Sequence, residues 1–277
     1  MPHAPSPQPS PLGTRLNPLT DPNARLVIGH RGNRAHAPEN TIESLGQAIA
    51  LGADALEFDV HLTADGVAVV MHDPTLDRTT DRRGVIARMR YEEVAAADAG
   101  ARFTPDGGNT FPWRGKGLHA PRLEDVLDLA RETPVLIELK TPAVQEETLR
   151  QIRRFNIAHR TLVDSMHFSA LNIFRGSDVA TGATARGVRQ LLQKAILGRR
   201  IVSPEYQAMC VTPRYGALPL PVARFARMLR EAGTALHVWT VNEERVAERL
   251  WRAGVNGIIT DDPARMMALR SRIGSDD

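Results

Sequence analysis

Short apolar runs punctuate this chain, and helix-like segments fill most of the gaps between them. Eight runs are rich in Val, Ile, Leu or Ala: 26–29 (LVIG), 55–60 (ALEFDV), 134–140 (PVLIELK), 161–166 (TLVDSM), 183–186 (ATAR), 207–212 (QAMCVT), 235–241 (ALHVWTV) and 257–260 (GIIT). Each has the length of a buried strand. Segments such as TIESLGQAIALG, LEDVLDLARE and VARFARMLREAG space their apolar residues three and four apart, as amphipathic helices do. Asn40 followed by Glu43 reads as a capping box opening the first helix. Gly52, Gly233 and Gly254 read as helix stops. Eight strands alternating with helices predict an α/β fold, a closed (β/α)8 TIM barrel. A doubly wound open sheet is the alternative, but it more often carries a glycine-rich phosphate loop after its first strand, and none is present.

One run breaks the alternation. VAVVMHD (67–73) follows the second strand after only a few residues, with ADG between them. This predicts a hairpin in which the second strand overshoots the rim and folds back. A two-residue loop sets His72 opposite Asp59, a four-residue loop sets it opposite Glu57, and a three-residue loop needs a bulge to do the same. Residues 74 to about 120 have weak periodicity and many glycines. They predict an insertion between the second and third barrel strands, a small cap over the site or else an inert excursion.

The N-terminal stretch is different again. Seven prolines fall within MPHAPSPQPSPLGTRLNPLTDPN. Residues 1–24 are therefore expected to be an extended, disordered arm, and 25–270 a single barrel domain. The stretch lacks the basic start and apolar centre of a secretory signal. No apolar run approaches the roughly 18 residues of a membrane span. Cys210 is the single cysteine, within an apolar run, and is expected to be a structural thiol. The absence of a disulfide framework points to a reducing cytoplasm. Net charge is +3, and the basic residues are scattered without interleaved aromatics, so nucleic acid is not an expected partner.

In a (β/α)8 barrel chemistry gathers at the C-terminal strand ends. Strand one ends in His30-Arg31. Strand two carries Glu57 and Asp59, two apart and so on one face. The hairpin returns His72-Asp73. Strand three carries Glu138 and Lys140, strand seven His237, Trp239 and Asn242, and strand eight Asp261-Asp262. Three converging carboxylates repel one another unless a cation joins them. All-oxygen ligation by Glu57, Asp59 and Glu138 points to one hard divalent ion, Mg2+ or Ca2+. The alternative is that these acids only pair with Arg31 and Lys140. His30 and His72 flank the acids as candidates for a proton-accepting and a proton-donating pair. Arg31 and Lys140 offer charge for a phosphate. His36, His61, His119, His159, His167 and His237 lack such partners and are expected to be structural.

The stretches GHRGNRAHAPENT, ALEFDVHLTADGVAVVMHDPTLDRTT, VLIELK, VWTVN and GVNGIITDDP, in that order from residue 27 to about 265, resemble the glycerophosphodiester phosphodiesterase family. The resemblance implies a barrel with a cap. It also implies His30 and His72 as the acid/base pair, Glu57, Asp59 and Glu138 as metal ligands, Arg31 and Lys140 on the phosphate, and Trp239 lining the substrate pocket. The implied reaction turns a small-molecule glycerophosphodiester into glycerol 3-phosphate and an alcohol. The glycerol 2-hydroxyl attacks phosphorus, and water then opens the cyclic phosphate. Arg82-Arg83, Ser165-Met166 and the long cap sequence depart from the family pattern and bear on the leaving group. Two rival readings are a lysophospholipase D or sphingomyelinase-D-like phosphodiesterase and a non-catalytic barrel. An apolar channel beside Trp239, Phe103 and Trp113 would favour the lipid enzymes. A missing histidine or carboxylate would favour the scaffold.

Overall fold

The computed structural model describes residues 17–202, 204–215 and 218–274. In chain order the first half contains β1 (Leu26–His30), α1 (Ile42–Ala50), β2 (Ala55–Leu62), β3 (Ala68–Val70), α2 (Tyr91–Ala95), α3 (Leu123–Ala130), β4 (Val135–Leu139) and α4 (Gln145–Arg154). The second half contains β5 (Thr161–Asp164), β6 (Ala180–Thr181), α5 (Ala185–Ile196), β7 (Ala208–Val211), a small hairpin β8 (Arg214–Tyr215) and β9 (Leu218–Pro219), α6 (Val222–Glu231), β10 (Ala235–Val238), α7 (Glu244–Arg252), β11 (Gly257–Thr260) and α8 (Pro263–Gly274).

Eight of the strands are parallel, in the order β6-β5-β4-β2-β1-β11-β10-β7. A bridge between Gly182 and Ala208 brings the two ends of that order together, so the sheet closes into the expected barrel. Period-two alternation sorts every strand. Leu56, Phe58, Val60, Ile137 and Val163 face outward into the layer beneath the helices. Ile28, Ala55, Leu136, Leu162, Ala235 and Ile259 face inward and fill the barrel. The same inward rows continue, two residues on, as His30, Glu57, Glu138, Asp164 and Asp261. The barrel is thus greasy below and ionic at its mouth.

The structure corrects several expectations. The fifth barrel strand is Ala180–Thr181, not 183–186, where Thr184 precedes α5 instead. A two-residue strand leaves too short an apolar run to read. Between β5 and β6 the chain forms a 3-10 turn, Phe168–Phe174, in place of a helix. The hairpin loop has three residues, and Val60 pairs with Val70. Continued, that register sets His72 opposite Phe58, on the outward face. But β3 stops at Val70 and the chain bends at His72, which turns it back toward Asp59.

The proline-rich arm falls, for residues 1–16, outside the described residues. Residues 17–24 belong to the folded part, so the boundary at residue 24 moves. Asn17 caps a 3-10 turn at Pro18–Thr20 and donates its side-chain amide to the Thr161 carbonyl at 2.8 Å. Leu19 is fully buried among the inward-facing residues at the barrel floor. Its carbonyl accepts a hydrogen bond from His237 Nε2 at 2.8 Å. His237 is therefore structural, as expected. Its Nδ1 has no partner and lies where a side chain on Gly257 would stand, 2.2 Å from the added Cβ.

Burial pushes the His237 imidazole down to about 4 from 6.5. The unfolded chain therefore takes up a proton near pH 6.5 that the folded chain refuses until about 4. The stability from this site is complete above pH 6.5 and is lost as pH falls between those values. It amounts to about 3 kcal/mol. Thermal midpoints should fall across that window in the native protein and fall less in His237→Gln, which keeps a donor for Leu19 without a titrating ring. Identical acid profiles for the two proteins would refute the assignment.

The segment 74–120 packs around a small core of its own, with Leu76, Ile86, Tyr91, Val94 and Ala120 closing on Val69 and Met71. Trp113 fastens it to the rim through an Nε1–H bond to the His36 carbonyl at 3.1 Å.

Candidate active site at the barrel mouth

The strand registers bring the expected residues together. His30 lies beside Glu57, Asp59 beside Glu138, and Glu138 beside Asp164. One oxygen from each of Glu57, Asp59 and Glu138 lies within 4.8 Å of the others. Burial followed by the neighbouring Asp59 charge holds the Glu57 carboxyl well above its usual range. Burial, then the nearby carboxylates of Asp59 and Asp164, push Glu138 up to about 7 despite Lys140 beside it. Asp59 stays low because Lys140 and Arg31 outweigh its burial. Two of the three acids thus hold protons far more tightly than free carboxylates. This is the state a divalent cation relieves, and the donor set fits a hard ion.

Lys140 Nζ sits 3.0 Å from both Asp59 Oδ1 and Glu138 Oε1. Arg31 Nε is 3.1 Å from Asp59 Oδ2, and its Nη1 is 2.8 Å from Glu39 Oε1. The pairing that the sequence offers as an alternative to a metal is therefore also present. It takes both oxygens of Asp59 and one of Glu138, and the proton-holding Glu57 gets from it only the Arg31 backbone N–H at 3.0 Å. Arg31 has φ 53 and Gly32 φ 92. A side chain at position 32 would stand 2.4 Å from the backbone of Ser44, so only glycine lets the chain turn away from the strand here.

Each candidate histidine is braced through Nδ1. His30 Nδ1 lies 2.6 Å from Asp261 Oδ1, and His72 Nδ1 lies 2.6 Å from Asp73 Oδ1. A carboxylate at Nδ1 selects the Nδ1–H tautomer, which leaves Nε2 of each ring to exchange protons. Burial, partly offset by Asp59, lowers the His72 pKa, so its neutral form is favoured. Asp261 is held in turn by Asn242, which donates to Oδ2 at 2.8 Å and accepts from the Asp261 N–H at 2.9 Å. His61 Nε2 donates to the His72 carbonyl at 3.1 Å, a structural role that steadies the bend.

Several of these residues carry no role at the site in the sequence reading. Glu39 is one. Arg31, Arg34 and Arg78 all close on its buried carboxylate, and Arg78 also grips Asp73 while Arg34 also reaches Asp261. An unbroken arc of hydrogen bonds and ion pairs therefore runs from His72 through Asp73, Arg78, Glu39, Arg34 and Asp261 to His30. Asn40 is another. It is not the helix cap. Thr41 is, accepting from the Ser44 N–H at 3.2 Å. Asn40 adopts φ 60 and donates its amide to Asp59 Oδ2 at 2.9 Å. Thr41→Ala should cost about 1 kcal/mol of stability, as a lost cap does. Asn40→Ala should instead weaken divalent-cation binding several-fold, by freeing Asp59. Calorimetric titration with Mg2+ and Ca2+ on both variants separates these, and equal cation affinity in Asn40→Ala and the native protein would contradict it.

Trp239 follows β10 and lies half-buried against the barrel interior, near Cys210. The Cys210 thiol is half-buried and pushed up by burial and the adjacent Asp164, which fits the structural role expected of it. Under the cap, a cavity of about 460 Å³ opens beside Glu39 and Asp261, lined by Arg34, Arg78, Arg102 and Phe103.

A (β/α)8 barrel with an acid cluster at its strand ends and a carboxylate-braced histidine on either side defines a class of barrel that works on substrates at its mouth. Within that class, the chain belongs to the glycerophosphoryl diester phosphodiesterase family, whose sequence model matches residues 30–265. A glycerophosphodiester phosphodiesterase of Caldanaerobacter subterraneus subsp. tengcongensis is 33% identical over 88% of this chain and 97% of its own. One from Bacillus altitudinis is 30% identical over 89% of this chain and 98% of its own. The crystal structure of a glycerophosphodiester phosphodiesterase from Agrobacterium tumefaciens superposes with a TM-score of 0.71 at 26% identity, over 88% of this chain and 99% of that one.

Proposed function

We propose that this protein hydrolyses glycerophosphodiesters to glycerol 3-phosphate and an alcohol, with a Mg2+ or Ca2+ ion held by Glu57, Asp59 and Glu138 and proton transfer through His30 and His72. The observation that carries the reading is the pair of Nδ1-braced imidazoles beside a carboxylate cluster that otherwise holds protons, in a chain of this family. When bound, the cation supplies positive charge to the substrate oxygens and to the charge that develops on phosphorus. One imidazole takes the proton from the glycerol 2-hydroxyl as its oxygen attacks phosphorus. The other gives a proton to the departing alcohol oxygen. The roles then reverse, a water losing its proton as it opens the cyclic phosphate and the 2-hydroxyl regaining one. Lys140 and the outer nitrogen of Arg31 face the phosphate, and Trp239 offers an apolar wall to the glycerol. The single cysteine suits the cytoplasm, and among the described residues no helix is long and apolar enough to cross a membrane.

The lipid-cleaving reading has less support. Phe103 lines its cavity together with three arginines and without Trp239, and Trp113 is spent on the His36 carbonyl. A polar leaving group suits that lining better than an acyl chain. A panel of glycerophosphodiesters and lysolipids, assayed with Mg2+, Ca2+ or neither, tests the function. Glycerol 3-phosphate release that needs a cation supports it, and inertness toward every glycerophosphodiester overturns it. Phe103→Ala should change the relative rates among headgroups by several-fold. One common factor for all substrates would make the cap a structural lid with no say in the leaving group.

A further inference from the structure

We propose that the flank formed by α5 and the 3-10 turn Phe168–Phe174 docks onto an anionic lipid surface. Seven large hydrophobic side chains are exposed among the described residues, and five of them, Met166, Phe168, Ile196, Leu197 and Val202, gather here. The last three are the most exposed of all, at 73%, 64% and 79%. Phe168 and Val202 line a groove of about 420 Å³, where with Leu191 they meet Arg175, Arg186, Lys194 and one acid, Glu205. The 3-10 turn replaces the helix that would otherwise pack beside α5, which is why the groove is open.

Charge gives the occupant its chemistry. Between Asp178 and Glu205 the chain has five basic residues, Arg186, Arg189, Lys194, Arg199 and Arg200, and no acid. Among the described residues none of them forms an ion pair, while Arg186 and Arg175 stack on Phe168. Gly198, at φ 67, reverses the chain after α5 and sets Arg199 and Arg200 beside Ile196 and Leu197. Aliphatic side chains standing clear of the surface, beside cations that outnumber the one nearby acid, match the acyl boundary and phosphate layer of an anionic membrane. A second copy of the chain would bring the same cations against themselves. Nucleic acid would find aliphatic side chains where stacking aromatics are needed.

Sedimentation of the full chain with vesicles tests this. Vesicles of phosphatidylglycerol and phosphatidylcholine in equal parts should bind it at least about tenfold more tightly than phosphatidylcholine alone, and 0.5 M NaCl should remove most of that preference. The triple variant Ile196→Ser, Leu197→Ser, Val202→Ser and the double variant Arg199→Glu, Arg200→Glu should each lose at least about tenfold. Both should retain native turnover of a water-soluble glycerophosphodiester or, independently of the catalytic reading, a native thermal midpoint. The proposal is overturned by equal binding to both vesicles, by variants that bind like the native protein, or by a dimer in solution that the serine variant dissolves.

Discussion

Replacing His30 with Ala should lower turnover on the order of 10^2 to 10^4-fold, the range for losing a positioned acid or base. The thermal midpoint should fall by only a few degrees, roughly 1 kcal/mol for a domain of this size. The ring's one polar partner, Asp261, keeps Asn242 and Arg34 when the imidazole is gone, so no buried charge is stranded. Asp261→Asn leaves the imidazole in place but removes the carboxylate that sets its tautomer. It should lower turnover less than His30→Ala and shift the pH profile of kcat/KM, which a merely structural aspartate would not do. Steady-state rates from pH 5 to 9 on both variants decide the matter. A destabilised yet fully active His30→Ala would end the acid/base assignment.

Chelation should have an effect of similar size. A cation at a phosphoryl centre contributes several kcal/mol of charge stabilisation, so removing it with excess EDTA should slow turnover on the order of 10^3-fold or more. Added Mg2+ or Ca2+ should restore it. The pH dependence of binding follows from the acids. Without a cation, Glu138 holds its proton up to about pH 7, and burial beside Asp59 holds Glu57 well above the usual carboxylate range. The cation must displace these protons, so its affinity should drop as pH falls below about 7 and protons should be released on binding. Titration calorimetry in two buffers of different ionisation enthalpy counts those protons. Full activity in EDTA, or binding indifferent to pH between 6 and 8, would dismiss Glu57, Asp59 and Glu138 as a metal site.

The parts of this site that the sequence discloses are those fixed by a short, regular period. Glu57 and Asp59, or Glu138 and Lys140, are two apart on strands whose other face is apolar, so alternation alone sends them inward together. The closed barrel follows from strands repeated often enough to be counted. What the sequence hides depends on backbone details that no period carries. Asn40 precedes a glutamate at capping-box spacing, but its positive φ hands the cap to Thr41 and turns its amide to Asp59. Glu39 gathers three arginines from two loops, a meeting that tertiary packing alone arranges. His72 reaches the site because a strand ends early, against its own register. Leu19 sits among prolines that suggest an arm, and one leucine aimed into a barrel floor leaves no pattern in the chain.

That leucine bears on the order in which the molecule is made. Its carbonyl meets His237 across 218 positions of sequence, and Asn17 meets Thr161 across 144. These residues leave the ribosome long before β10 does. The floor of the barrel must therefore wait, unsealed, until β10 has been synthesised, and closing so long a loop is entropically an expensive kind of contact. Until Leu19 seats itself the inward-facing apolar row is open to water from below. The N-terminal plug is thus the stopper set last in a vessel built from the walls inward, and the nascent barrel is most exposed to misassembly in the interval just before it arrives.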